Sequence, residues 1–253
     1  MTEATDAVIA VDSRPRISGE EAWALATLES ERLLHLLRSL TEADWSRPTD
    51  CTGWDVRAML GHLVGGAEGI VSTREFIHQY RTGTRLVKEG KAGGKWLVDG
   101  INATQVLDRA GASTDELIIR YERAIPKEIR RRRRLLRFLP GSIDDVGGRI
   151  SFRELYEVVI TRDTWIHRVD ISRATGREMV MTADHDGRIV EDLVIDWAKR
   201  HGQPFSLVLT GPAGGRFQIG RPVSTTEVDA IEFARALSGR GTRPETLGTR
   251  AVF

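Results

Sequence analysis

Cysteine is almost missing from this chain: Cys51 is the single one among 253 residues. One thiol closes no intrachain disulfide, which excludes a stapled secreted scaffold and suits a reducing, cytoplasmic setting. No apolar run approaches the roughly 20 residues that span a bilayer. Residues 1–15 show neither the basic start nor the apolar stretch of a secretory leader. Neither sign of charge is in excess, with 37 Lys and Arg against 36 Asp and Glu, a net charge of +1. That balance argues against bulk attraction to nucleic acid or to a membrane surface. No internal repeat is found, and the one biased tract is Arg130 to Arg134. Aromatic residues hardly interleave with these arginines, so the tract reads as a solvated helix end, where cations complement the helix dipole.

What is present is ample material for a core, with 40% apolar and 29% charged residues. Three serines stand three residues before a glutamate, at Ser18/Glu21, Ser113/Glu116 and Ser151/Glu154. In such a box each side chain satisfies a free backbone N–H, so the pattern marks a helix start. The first opens onto Trp23, Leu33, Leu37 and Leu40, the second onto Leu117-Ile118-Ile119, and the third onto residues 160–170. A fourth helix starts at Asp55 and carries Val56, Met59, Leu60, Leu63, Val64, Ala67 and Val71 at close to 3.6-residue spacing. Four amphipathic helices predict a bundle, whose core commonly hosts sites built from facing helices. After Gly176 the composition changes. A helix with Ile189, Leu193 and Trp197 precedes a hairpin, Phe205–Thr210 with Arg216–Ile219 around a Gly-rich turn. A last helix near Val228 to Leu237 and an apolar end at Val252-Phe253 complete a small α+β region.

The chemistry concentrates in Arg162-Asp163-Thr164-Trp165-Ile166-His167-Arg168-Val169-Asp170. On a helix, Asp163 and His167 lie one turn apart on one face. They make either an exposed charge pair or two ligands of one ion, as in zinc-protease helices. Trp165, Ile166 and Val169 supply an apolar flank, and a carboxylate beside it needs a partner. A third ligand has to come from another element, and His62, at the margin of the Met59–Leu63 stripe, is the best supplier; otherwise it is a core histidine. His35, His78, His185 and His201 have no ligand partner at suitable spacing and read as surface or structural residues. Asp170, next to His167 on the helix, either orients that imidazole or lies at the surface. Cys51 has no base near it in sequence and does not read as a catalytic thiol.

Trp45 through Leu63, with Pro48, Cys51, Gly53-Trp54, Val56-Arg57 and Gly61-His62-Leu63, resembles the metal-binding N-terminal domain of the mycothiol-dependent maleylpyruvate isomerase family, within the DinB-like group of four-helix bundles. Asn102-Ala103, the Asp115-Glu116-Leu117 helix entry, the Arg-rich stretch after it and Trp165 to Asp170 with Ala174 are similar too. The segments Leu209 to Gly215 and Leu237-Ser238-Gly239-Arg240 resemble the family's small second domain. The resemblance spans nearly the whole chain and is specific for fold and metal site, but loose for substrate. It implies a mainly α protein: a DinB-like metal-binding four-helix bundle over residues 1–178, then a small α+β domain over 179–253.

In that family a histidine on the second helix and a Glu-x-x-x-His pair on the fourth hold the metal. Carried over residue by residue, the ligands are His62, Asp163 and His167. Asp163 departs from the pattern by one methylene, so that either the backbones approach more closely or the carboxylate binds through water. The resemblance further implies a divalent ion, with zinc expected, and mycothiol as thiol cosubstrate. Three N/O ligands with open positions are the catalytic zinc pattern. Arg240 is the candidate for holding a substrate carboxylate, because the family uses an arginine of its second domain. The 5 Lys against 32 Arg fit a GC-rich genome and hence a mycothiol producer. The expected activity is isomerisation or thiol transfer on an electrophilic small molecule. The alternatives are a metal-dependent hydrolase on the same bundle, or a non-enzymatic bundle that binds a small ligand or regulates. The expected partners are that small molecule and the thiol, with no nucleic acid and no membrane, in a monomer or homodimer.

Overall fold

Asp55 and Ser113 each end an extended stretch and start a helix by accepting a backbone N–H, from Ala58 at 2.7 Å and from Glu116 at 3.2 Å. Ser151 does the same for Glu154 at 3.1 Å. These local choices set the element order in the computed structural model, which describes residues 7–145, 148–241, 247–248 and 251. The apolar end at Val252-Phe253 lies outside the described residues. Strand β1 (Val8–Ala10) precedes α1 (Gly19–Arg38), α2 (Val56–Val71), α3 (Thr73–Lys88), α4 (Leu97–Arg109) and α5 (Thr114–Leu135). A hairpin of β2 (Ser142–Asp145) and β3 (Gly148–Ser151) follows, then the short α6 (Phe152–Glu154). A π-helical stretch, Leu155–Val159, runs straight into α7 (Ile160–Thr175). The rest is α8 (Arg188–His201), β4 (Phe205–Thr210), β5 (Gly215–Ile219), β6 (Thr225–Asp229) and α9 (Ala230–Leu237).

The chain divides into two compact units, Ala22–Glu178 and Met1–Glu21 with Met179–Phe253. In the helical unit, Leu33 and Leu37 of α1, Met59 and Leu60 of α2, Leu117 and Tyr121 of α5 and Ile171 of α7 share one core. These are the four amphipathic segments read from the sequence. A fully buried ion pair, Arg168 of α7 forked onto Glu29 of α1 at 2.7 and 2.8 Å, fixes those two helices against each other. Two further helices, α3 and α4, were not anticipated. They cross at Gly83 and Gly100, where a Cβ on Gly100 would stand 2.2 Å from the Gly83 carbonyl oxygen. Only two glycines permit so close a backbone approach.

In the other unit the sheet order is β1-β5-β4-β6. The β4–β5 hairpin expected from the sequence is antiparallel, with Leu207 opposite Phe217. Phe205, Leu207 and Leu209 alternate inward, as a half-buried strand requires. Trp197 of α8 stands 4.7 Å from the Phe205 ring and 5.6 Å from that of Phe233 on α9. One expectation is corrected here. Val228 belongs to β6, which lies parallel to β4, and the last helix starts at Ala230. The compact unit that holds Met179–Phe253 also takes in Met1–Glu21. Its β1 is a three-residue edge strand parallel to β5, too short to leave a sequence pattern. Arg14 on Glu191 and Arg16 on Asp192, each at 2.8 Å, tie the same segment to α8. No helix among the described residues is long and apolar enough to cross a membrane.

Candidate metal centre

Helix α2 brings His62 and α7 brings Asp163 and His167 to one place. His62 Nε2 lies 3.4 Å from Asp163 Oδ2, and His167 Nε2 lies 3.3 Å from Asp163 Oδ1. Both imidazoles are buried, while the Asp163 side chain is 33% exposed, which leaves one open side. These separations are longer than the roughly 2.7–2.9 Å of a charge-assisted N–H···O bond. They match the roughly 3.3 Å edge of a tetrahedron with metal–ligand bonds of about 2.0–2.1 Å. One donor atom from each of the three residues falls within a mutual span of 4.8 Å. The donor set of two imidazoles and a carboxylate is that of a borderline-soft divalent ion. The residues present therefore fit such an ion, and the shorter aspartate still reaches both imidazoles.

The far nitrogen of each ring is engaged as well. His167 Nδ1 donates to Asp170 Oδ2 at 3.1 Å, so Asp170 is buried and orients that imidazole; it does not face solvent. His62 Nδ1 meets Gln105 Oε1 of α4 at 2.8 Å. Such partners orient a ligating ring and set which nitrogen faces the ion. Nothing in the sequence pointed to Gln105, which is 43 residues from His62 and lies on a helix the periodicity did not show. Cys51 stands beside the same carboxylate, its thiol donating to Asp170 Oδ2 at 3.8 Å. A separation of 119 residues hides that proximity from any local reading.

Electrostatics follow from the geometry. Burial opposes ionisation of Asp163, but the charge and hydrogen bond of His167 above all override it and hold its carboxyl far below the usual carboxylate range. Burial likewise opposes a charged His167, and there the Asp163 charge, with bonds to Asp163, Asp170 and Cys51, overrides it and raises the imidazole well above its ordinary value. A positive charge is thus favoured between Asp163 and Asp170. A divalent ion held by the three side chains would supply that charge.

Trp54 covers the cluster, its ring centroid 5.0 Å from His62 and 6.3 Å from His167. Trp165, read from the sequence as part of the apolar flank of Asp163, is fully buried. Arg240 follows α9 in the other compact unit, half-buried, with its backbone N–H on the Arg235 carbonyl at 2.8 Å.

Residues 26–172 match the family model described as the mycothiol maleylpyruvate isomerase N-terminal domain. Two crystal structures share the fold over 93% of this chain and 93% of theirs: that of the mycothiol-dependent maleylpyruvate isomerase, at 16% identity and a TM-score of 0.55, and that of a histidine-to-alanine mutant of it, at 15% and 0.55. At such identity the likeness is one of fold. No curated protein matches the chain.

Proposed function

The chain belongs to the mycothiol maleylpyruvate isomerase N-terminal domain family, and from that premise we propose that it is a zinc-dependent, mycothiol-dependent isomerase or thiol transferase acting on an electrophilic small molecule in the cytoplasm. The observation that carries this reading is the pair of imidazole Nε2 atoms facing one carboxylate at 3.4 and 3.3 Å, with both Nδ1 atoms engaged behind them. His62, Asp163 and His167 would hold the ion. When bound, a divalent cation lets a thiol lose its proton near neutral pH. The carboxylates of Asp163 and Asp170 then balance the ion's charge, and Asp170 holds His167 in place. Trp54, packed over the His62 and His167 rings, would limit water at the site. The sulfur of the deprotonated thiol forms a bond to one carbon of a conjugated double bond, and the π electrons move onto the conjugated carbonyl. Rotation about the resulting single bond and departure of the sulfur with its electron pair leave a cis–trans isomer. No oxidant or reductant is needed. Arg240 is assigned to a carboxylate of the substrate or of the thiol adduct.

Elemental analysis of protein purified without a chelating tag should find one divalent ion per chain, lost in His167→Ala with helical content retained. Asp163→Asn keeps the shape but not the charge, and zinc affinity should fall by at least about tenfold. Calorimetry should show mycothiol binding to the zinc-loaded form more tightly than to the metal-free form, with release of a proton. Stoichiometric metal in His167→Ala would remove the ligand assignment. Zinc binding without any zinc-dependent thiol binding would shift the reading to a hydrolase or a ligand-binding bundle.

A further inference from the structure

The contacts behind His62 decide which of its ring nitrogens carries the proton. Gln79 of α3 donates from Nε2 to the Gly65 carbonyl oxygen at 2.8 Å and to Glu75 Oε1 at 2.8 Å. A backbone carbonyl only accepts, so that end of the Gln79 amide must be its NH2 group. Its Oε1 therefore faces Gln105, whose Nε2 donates to it at 2.9 Å. The Gln105 amide is then oriented in turn, with Oε1 as the atom 2.8 Å from His62 Nδ1. An amide oxygen cannot donate, so the ring must. In the neutral ring the proton therefore sits on Nδ1, and the lone pair of Nε2 points at Asp163.

Several features hold the relay in place. Gln79 and Gln105 are buried, at 3% and 5% exposure, so both links are shielded from bulk water. Arg109 caps the far end, donating to Glu75 at 2.9 Å, to Glu68 at 2.6 Å and to the Gln105 carbonyl at 3.1 Å. A Cβ at Gly65 would lie 2.5 Å from Gln105 Cβ, so the missing side chain on α2 is what admits Gln105. A lone pair aimed at a carboxylate 3.4 Å away is unfavourable unless a cation stands between them.

We propose that Gln105 and Gln79 are positioning residues that fix His62 as the Nδ1–H tautomer through the Gly65 carbonyl, and so ready its Nε2 as a ligand. The link to affinity rests on the reading of His62 as a zinc ligand; the tautomer itself does not.

The test is nitrogen-15 correlation spectroscopy of the His62 ring in the metal-free full chain, at a pH where that ring is neutral, together with a competition titration with zinc. Wild type should carry the proton on Nδ1. Gln105→Leu should move it to Nε2, toward Asp163, and lower zinc affinity by at least about tenfold. Gln105→Glu offers an acceptor only, so it should keep the proton on Nδ1 and bind zinc more tightly than Gln105→Leu, though it loses the bond to Gln79 Oε1. Gln79→Leu leaves the Gln105 amide free to turn, and should give a mixture of tautomers with an intermediate loss. It serves as the second variant if Gln105→Leu does not fold. A wild-type proton on Nε2, or a Gln105→Leu ring and affinity equal to wild type, would overturn the proposal. A wild-type proton on Nδ1 in a chain that binds no zinc would support the relay while removing the metal reading.

Discussion

Asp44 and Asp163 show how much one carboxylate does here when its neighbours are arranged for it. Asp163 gathers two imidazoles from two helices, and its spacing to His167 was readable because a helix puts i and i+4 on one face. Asp44 works by the same logic away from the site. It accepts the Thr41 backbone N–H at 2.8 Å and the Thr41 hydroxyl at 2.7 Å, and takes a bond from Arg177 at 2.9 Å. It thereby joins the turn that enters the Trp45–Asp55 segment to the residues just after α7. The Thr41 bonds lead, burial pulls the other way, Arg177 adds to the first, and the carboxyl is held at about 2. A depressed acid contributes stability that is present above its ordinary value of 3.8 and lost as pH falls through about 2. Denaturation midpoints should accordingly drop across that acid window in the wild type, and drop less steeply in Asp44→Asn. Equal acid slopes for the two proteins would mean that the turn is not held by this charge.

At the scale of elements, the helices that were readable are those with apolar buried faces. Their 3.6-residue stripes and their Asp55, Ser113 and Ser151 caps agree with one another. Helices α3 and α4 are inverted. Their buried residues are Gln79, Gly83 and Leu86 on one and Gly100, Thr104, Gln105 and Arg109 on the other, while Phe76, Ile77, Tyr80 and Leu107 are exposed. The apolar stripe of α3, Phe76, Ile77 and Tyr80, stands at helical spacing but faces outward, so it does not mark the buried side, and the polar ring partner of His62 on α4 left no apolar signal. The same close packing makes two adjacent glycines of α2 behave oppositely. At Gly65 an added Cβ meets Gln105 Cβ at 2.5 Å, whereas at Gly66 the nearest atom, Gln105 Nε2, is 4.0 Å away. Gly66→Ala should stabilise by up to about 1 kcal/mol, the helix-propensity gain. Gly65→Ala earns the same gain but overpacks the interface by about 1–3 kcal/mol, so it should be net destabilising. It should also weaken zinc binding, since Gln105 has to move. Urea unfolding of the two variants side by side checks this, and a Gly65→Ala as stable as Gly66→Ala would show that α4 yields easily.

For the whole molecule, the fold was legible further than the sequence identity suggests, since 16% identity still accompanies 93% coverage of a solved isomerase chain. The helix caps and the i,i+4 spacing of Asp163 and His167 were readable because each is set by local geometry. What the sequence hid at this scale was the three-residue β1, which pairs Val8–Ala10 with β5. Arg240 belongs to the unit of β1 and β5, and His62, Asp163 and His167 to the other. A role for Arg240 in substrate binding is thus separable from metal binding by experiment. Its backbone is fixed by the bond to Arg235 just past α9, so replacing the side chain should leave the unit folded. A hydrogen bond to a charged group contributes about 1.5–3 kcal/mol, which is roughly a ten- to hundredfold change in an equilibrium constant. Arg240→Ala should raise KM for a carboxylated electrophile on that scale while zinc content and zinc affinity stay at wild-type values. A neutral ester of the same electrophile, which offers no anion to hold, should be turned over equally by both proteins. If the ester and the acid lose activity in parallel, Arg240 supports the structure of its unit and the carboxylate is held elsewhere.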